Sequence, residues 1–500
     1  MCRNYYSDRA AKDPSFTFAP IIVGGENPQC RDPHVQSLVA NFQLYASLLS
    51  GIFSAIISPH LGALSDRTGR RWIMAFATMG TFIMEVVTII VGTHSDTISV
   101  YWILVGSLMD GLCGSFTTSM ALSFAYASDC TAPDRRNVAF GFFHGTMFTG
   151  IALGPILAGY LISVTDNVMV VFYVAVGCHL FFIFFLLFVI PESVSKERQL
   201  HAREKFKIKM QDPKYATWTS TLLSYNIFEP LWILRPKGQG SSPQLRKNLF
   251  LLAAIDTIMF GVAMGTVQII LIYAEYEFGW TAVDSSKFLS AVNVCRVLAL
   301  VIVLPLVTRL VRGPQKDQAA AQHHGSDLLD VNVIRIAVFF DLIGYVGYAT
   351  VRTGGLMVVS GAVASLGGIG SPTLQSSLTK HIPSDRTGQM LGASGLLHAM
   401  ARIIAPTIFN LIYSKTVGKF TQTVFVCLAS VFGVAFIMTW FLRPNGKTSG
   451  FHAQAFTDTL QYTSTSRIMW FLMTISMAYW WPLAFVGSNA EVGGLACVHP

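Results

Sequence analysis

Charge is what this 500-residue chain has least of: Asp, Glu, Lys and Arg make up 12% of it, against 52% hydrophobic residues. A soluble globular chain carries roughly 25% charged residues. No single soluble core buries so much apolar sequence, so the surplus must face lipid. Cysteine is sparse as well, with eight residues and no C-x-x-C pair. Cys113, Cys178, Cys295 and Cys427 lie inside apolar runs, where free cysteine packs as a small hydrophobe. Cys2 and Cys30 flank one polar segment, and spacing alone does not decide whether they pair. No N-x-S/T sequon occurs and no secretory signal peptide opens the chain, since residues 1–34 are polar and hold Arg3, Arg9, Lys12 and Arg31. The net charge of +8 raises nucleic acid as a partner. The basic residues, however, sit in short loops between apolar stretches and form no nucleic-acid motif. With no nucleophile elbow, metal cluster or phosphate loop, nothing points to an enzyme, a metal or a cofactor.

What is present is a series of apolar runs near the 20 residues that a span needs. Eleven are expected: 36–60, 72–92, 98–127, 138–163, 168–190, 248–273, 285–311, 331–350, 354–378, 389–413 and 421–442. A weaker twelfth, 468–487, contains Pro482 and lies in a tail, 444–500, unlike the rest. Lys and Arg mark cytoplasmic loops. They place Arg67, Arg135, the 191–247 loop with its eleven basic residues, Arg309 and Arg386 in the cytosol, and residues 1–34 outside. The 191–247 segment divides the chain into helical bundles 35–190 and 248–443. Its basic run from Lys196 to Lys209 reads as a solvated or headgroup-facing linker.

The halves repeat at an offset of 251 residues. Asp134-Arg135-x5-Gly141 matches Asp385-Arg386-x5-Gly392, and Gly154-Pro155 matches Ala405-Pro406. A fainter echo pairs Gly62 and Asp66 with Gly313 and Asp317. Parallel repeats about a central loop are a transporter plan.

Residues 62–71 read Gly-Ala-Leu-Ser-Asp-Arg-Thr-Gly-Arg-Arg. Gly62 lets another helix approach. Asp66 is suited to accept hydrogen bonds from a neighbouring helix N-terminus, and Arg67, Arg70 and Arg71, with Gly69 between them, read as an orienting, lipid-facing basic cluster. The run resembles the G-x-x-x-D-R-x-G-R-R signature of the major facilitator superfamily. In that family the loop latches two pseudo-symmetric helical bundles on the cytosolic side. Residues 150–159, with Gly150, Gly154, Pro155 and Gly159, are similar to the family's fifth-helix motif, found mostly in proton antiporters that export drugs; plain small-residue packing explains them equally. Ser128-Asp129-x-Thr131-x-Pro133 looks like tetracycline-exporter-like and folate-transporter-like members, and Pro191-Glu192-Ser193 closes a helix as in fungal members. The resemblance covers about residues 30–445 and implies an all-α membrane fold. It also exposes a gap. The first span seen carries the second-helix motif, so the family's first helix is expected upstream of Met1, and the chain as written is expected to transport poorly. A fourth-helix arginine frequent in proton-coupled members is replaced by Ser107.

Ionisable groups inside spans cost about 2.5–3.5 kcal/mol each and need a reason. The resemblance assigns Asp110 and Asp256 to cavity-lining helices, and His144, Arg296, His398 and Arg402 to helices flanking them. It leaves Glu85, His179 and Asp341 as structural. Asp110, Gly114, Thr117, Ala121 and Ser128 share one helical face, as do His398 with Arg402 and Asn293 with Arg296. Glycine-rich 354–378 and its repeat partner 103–127 point to a site at the repeat interface. The expectation is a monomeric secondary transporter of the plasma or vacuolar membrane, moving a small semi-polar organic solute by proton-coupled export. Import by the same fold, and a receptor or scaffold that keeps the fold without transport, are the alternatives.

Overall fold

Backbone in lipid must satisfy itself, so long apolar runs become helices. The computed structural model describes residues 2–13, 18, 33–94, 97–165, 167–211, 228–236, 242–312 and 325–444, and every regular element there is helical. A short α1 (Cys2–Lys12) comes first; its Cys2 is disulfide-bonded, while Cys30 lies outside the described residues. The first half comprises α2 (Pro33–Thr68), α3 (Arg70–Thr93), α4 (Trp102–Leu112), α5 (Ser115–Cys130), α6 (Arg136–Thr165) and α7 (Met169–Phe188). After α8 (Lys196–Met210) come α9 (Pro243–Phe278), α10 (Ala282–Leu298) and α11 (Leu304–Arg312). The second half continues with α12 (Leu328–Thr350), α13 (Gly354–Gly367), α14 (Gly370–Lys380), α15 (Thr387–Thr416) and α16 (Thr423–Trp440). Among the described residues, nine helical stretches are long and apolar enough to cross a membrane, with α10 and α11 together making one and α13 and α14 another. The weak stretch at 468–487 and the Gly313/Asp317 echo lie outside the described residues.

Two expected spans are not single helices. The run 98–127 breaks where Gly114 turns left-handed at φ 98°, followed by Ser115 at φ 55°. A positive φ suits glycine and is strained for serine. The break takes Asp110 and Thr117 onto separate helices, so the expected continuous polar stripe is cut in two. The run 354–378 breaks between Gly367 and Gly370, close to the repeat counterpart of Gly114 in the other half. Between α10 and α11 the helix widens to a π turn, Ala299–Val303, just before Pro305, which has no N–H to donate. Other boundaries follow ordinary capping chemistry. Ser242 caps α9 by accepting from Leu245 N, Thr281 with Asp284 forms a capping box on α10, and Asp327 with Asp330 forms one on α12.

The halves meet along two seams. In one, α2 lies on α15 through bare backbone: a Cβ on Gly392 would stand 3.0 Å from Pro59 Cα, and one on Gly62 3.0 Å from Gly392 Cα. In the other, Gly141 and Gly145 of α6 face Leu300, Val301 and Leu304, around the π turn. Small residues let helices approach closely enough for packing to hold them in lipid. Leu231, in a 3₁₀ turn over Glu229–Leu234, covers the first seam from the side, against Ala55 of one half and Leu396 and Ala399 of the other.

Candidate functional site

At one end of the bundle, the carboxylate of Asp66 accepts from two backbone N–H groups at the start of α15, Gly388 at 3.1 Å and Gln389 at 3.0 Å. A helix N-terminus favours an anion. Arg70 departs from its expected lipid-facing role. Its side chain is fully buried, 2.7 Å from Asp66 and 3.0 Å from Asp129, and it donates to Ser65 Oγ at 2.6 Å. Asp129 also receives Arg198 of α8 at 3.1 Å and Ser193 at 3.1 Å. Glu192 caps α3, accepting from Arg70 N at 2.7 Å and Arg71 N at 3.2 Å, beside Gly69 at φ 104°. Arg67 lies 3.8 Å over the Phe206 ring, and Arg71 donates to the Ile190 carbonyl. The basic helix α8 therefore binds this end, with Arg203 on the Arg67 carbonyl and Lys205 2.7 Å from Asp385, across the seam.

Deeper in the bundle, Asp110 joins three helices, accepting from Ser50 of α2 at 2.7 Å and Thr81 of α3 at 2.8 Å. Arg402 of α15 reaches across the seam to Ser50 and Ser115, each at 3.5 Å. Ser54 donates to the Gly114 carbonyl at 2.8 Å, which gives the broken helix a partner for an exposed backbone group. His398 shares a face with Arg402 in the sequence, yet its contact is different: Nε2 lies 2.9 Å from Asp256 of α9, and its ring stacks on Phe260 at 4.2 Å.

His398 also lines a small cavity between the halves, with Thr117, Met120, Ala121 and Phe124 on one side and Gln375, Leu391, Ser394 and Gly395 on the other. Its volume is about 10 Å³, room for about one water. Several buried polar atoms around this region have no hydrogen-bond partner among the described residues: Gln375 Oε1, Ser394 Oγ, Asp256 Oδ1, His144 Nε2 and Arg296 Nε. Leaving such a group unsatisfied costs about 1–3 kcal/mol, so each of these atoms favours a polar partner. His144 sits among Phe124, Phe143 and Phe148, and Arg296 lies 4.7 Å over the Phe148 ring. Asn293 turns back to its own Leu289 carbonyl and does not join Arg296. Glu85 and His179 pair at 2.9 Å between α3 and α7, away from the cavity lining. In α6, Gly150 and Gly154 are buried, but Gly159 faces open space, so the fifth-helix motif is not one continuous packing face.

Sequence reasoning missed the burial of Arg70, the capping role of Glu192, and a second ion-pair group. There Asp330 binds Lys380 at 2.5 Å and Arg312 at 3.0 Å. The repeat offset was the one signal available, because it carries Asp129 onto Lys380.

Two helical halves, two glycine-lined seams and polar groups converging between them define a polytopic transporter of the secondary type. The chain belongs to the major facilitator superfamily, whose model matches residues 32–317. It is 32% identical to an MFS-type transporter, avaJ, of Aspergillus versicolor, over 82% of this chain and 78% of that protein. It is 24% identical to the class H tetracycline resistance protein of Pasteurella multocida, over 80% and 84%, and 22% identical to the proton-coupled folate transporter of Bos taurus, over 82% and 80%. Its fold resembles that of the human organic anion transporter MFSD10, with a TM-score of 0.60 at 16% identity, over 88% and 89%. These relatives are transporters, and so is the class to which this chain belongs; it is not an enzyme.

Proposed function

We propose that this chain works as a monomer, moving a small semi-polar organic solute by alternating access and coupling that movement to protons, with export as its direction. The hydrogen bond between His398 and Asp256, at the wall of the cavity between the halves, carries the reading. An imidazole hydrogen-bonded to a carboxylate makes a pair that can pass a proton, and here the imidazole borders the cavity between the halves. Phe124, Phe260 and the unpartnered polar atoms of Gln375 and Ser394 surround it, a lining for an aromatic or mixed-polarity solute. The Asp66 end faces the cytosol in this reading, and the plasma or vacuolar membrane is its setting. Likeness to a tetracycline resistance protein supports export; likeness to a proton-coupled folate transporter supports import as the second reading. The test is a solute screen in reconstituted vesicles with an imposed pH gradient of either sign. Export predicts movement of solute against the proton flow. Movement with the flow selects import, and movement indifferent to both gradients removes proton coupling.

A further inference from the structure

The ion pairs of the two halves are the same device with its charges inverted. In the first half, Arg70 in the first turn of α3 bridges Asp66, near the end of α2, and Asp129, near the end of α5. In the second half, Asp330 in the first turn of α12 bridges Arg312, at the end of α11, and Lys380, at the end of α14. All three positions correspond by helix order, and each sign is reversed. Asp330 and Lys380 side chains are 0% and 1% exposed. Breaking so buried a pair is strongly destabilising, so the second group is a rigid anchor.

Inversion has a consequence at the seams. Asp66 holds the opposite half directly, because an anion suits the N-terminus of α15. Arg312 faces the N-terminus of α6, where a cation is disfavoured. Asn137, the second residue of α6, stands between them. Its Oδ1 accepts from Arg312 Nη1 at 3.4 Å, and its Nδ2 donates to Thr308 Oγ1 at 3.2 Å. Asn137 is fully buried, and both partners belong to α11. One amide thus ties α6 of the first half to α11 of the second.

We propose that Asn137 with Arg312 forms a second lock between the halves at the Asp66 end, oriented by Asp330 and Lys380, and weaker than the Asp66 lock because its cross-half acceptor is a neutral amide. Both locks must release for this end to open. The inference rests on the alternating-access reading above.

The experiment needs no solute. Ser394, in the cavity between the halves, is replaced by cysteine. Its labelling by a small thiol reagent added on the Asp66 side is then measured against the same chain with Ser394 intact. Asn137→Ala is expected to speed labelling about tenfold or more, the scale of losing a hydrogen bond to a charged group. Asn137→Asp keeps an acceptor and sets a negative charge between Arg312 and the α6 N-terminus, so it is expected to slow labelling below the parent. Asp66→Ala serves as reference and is expected to speed labelling more than Asn137→Ala. If Asp66→Ala speeds labelling and Asn137→Ala does not, or if both Asn137 variants speed it alike, the second lock is overturned and alternating access stands. If Asp66→Ala has no effect, alternating access at this end fails, and the second lock fails with it.

Discussion

Asp110 and Arg402 belong to opposite halves and meet through a single hydroxyl, that of Ser50, which lies 2.7 Å from the carboxylate and 3.5 Å from the guanidinium. Neither charge touches the other directly, so a solute or a water can enter between them without first breaking an ion pair. Asp110→Asn is expected to abolish or uncouple transport, while Arg402→Ala is expected to weaken solute binding by about tenfold, the scale of one charge-assisted hydrogen bond. Vesicle transport across a range of solute concentrations and pH separates the two effects. Normal affinity and normal pH dependence in both variants would make the pair structural.

Asp66→Ala is expected to leave the protein inserted and to slow its transport by about tenfold or more, since two charge-assisted hydrogen bonds between the halves are lost. Expression, membrane insertion and initial rates are measured together. A near-normal rate in a well-inserted variant would remove the latch from the transport cycle.

His398→Gln keeps a hydrogen-bonding group beside Asp256 but replaces an imidazole with an amide that carries no proton between partners. The expected result is transport whose rate no longer responds to the pH gradient, with counterflow of solute preserved. Retained gradient-driven accumulation would place the proton elsewhere.

Gly69→Ala is expected to lower stability by about 1–3 kcal/mol, because φ 104° with ψ 156° is backbone essentially reserved to glycine, which an alanine adopts only under strain. Thermal unfolding in detergent measures this. The added Cβ would also press on the Glu192 carboxylate that caps α3, so Glu192→Gln is expected to soften the same transition by a smaller amount. An unchanged unfolding temperature in Gly69→Ala would show that the loop rearranges at no cost.

The sequence carried the fold well, because span length, loop charge and the 62–71 spacing are local patterns. Asp66 against a helix N-terminus was legible for that reason: its spacing from Gly62 places it where another helix must come close. Arg70 was not, since an arginine in a basic loop reads the same whether it meets lipid or a buried carboxylate. Which of the two it meets depends on where α5 ends, sixty residues later in the chain. The break at Gly114 was half legible. Glycine content marked 103–127 as unusual, but the left-handed turn that continues into Ser115 is imposed by packing against α2, where Ser54 takes up the Gly114 carbonyl. His398 and Arg402 illustrate the same limit, because a shared helical face fixes direction and leaves the partner open.

The seam between α2 and α15 is made of backbone, with Gly62 against Gly388 and Gly392, and Gly392 against Pro59. Glycine is already the smallest residue, so drift at these positions has one direction only: every substitution adds volume, and none can tighten the fit. A population of variants at this seam is therefore lopsided, spreading toward splayed helices and never toward closer ones. Any compensation must come from the facing helix, and where Gly62 meets Gly388 and Gly392 that helix has no side chain to give up.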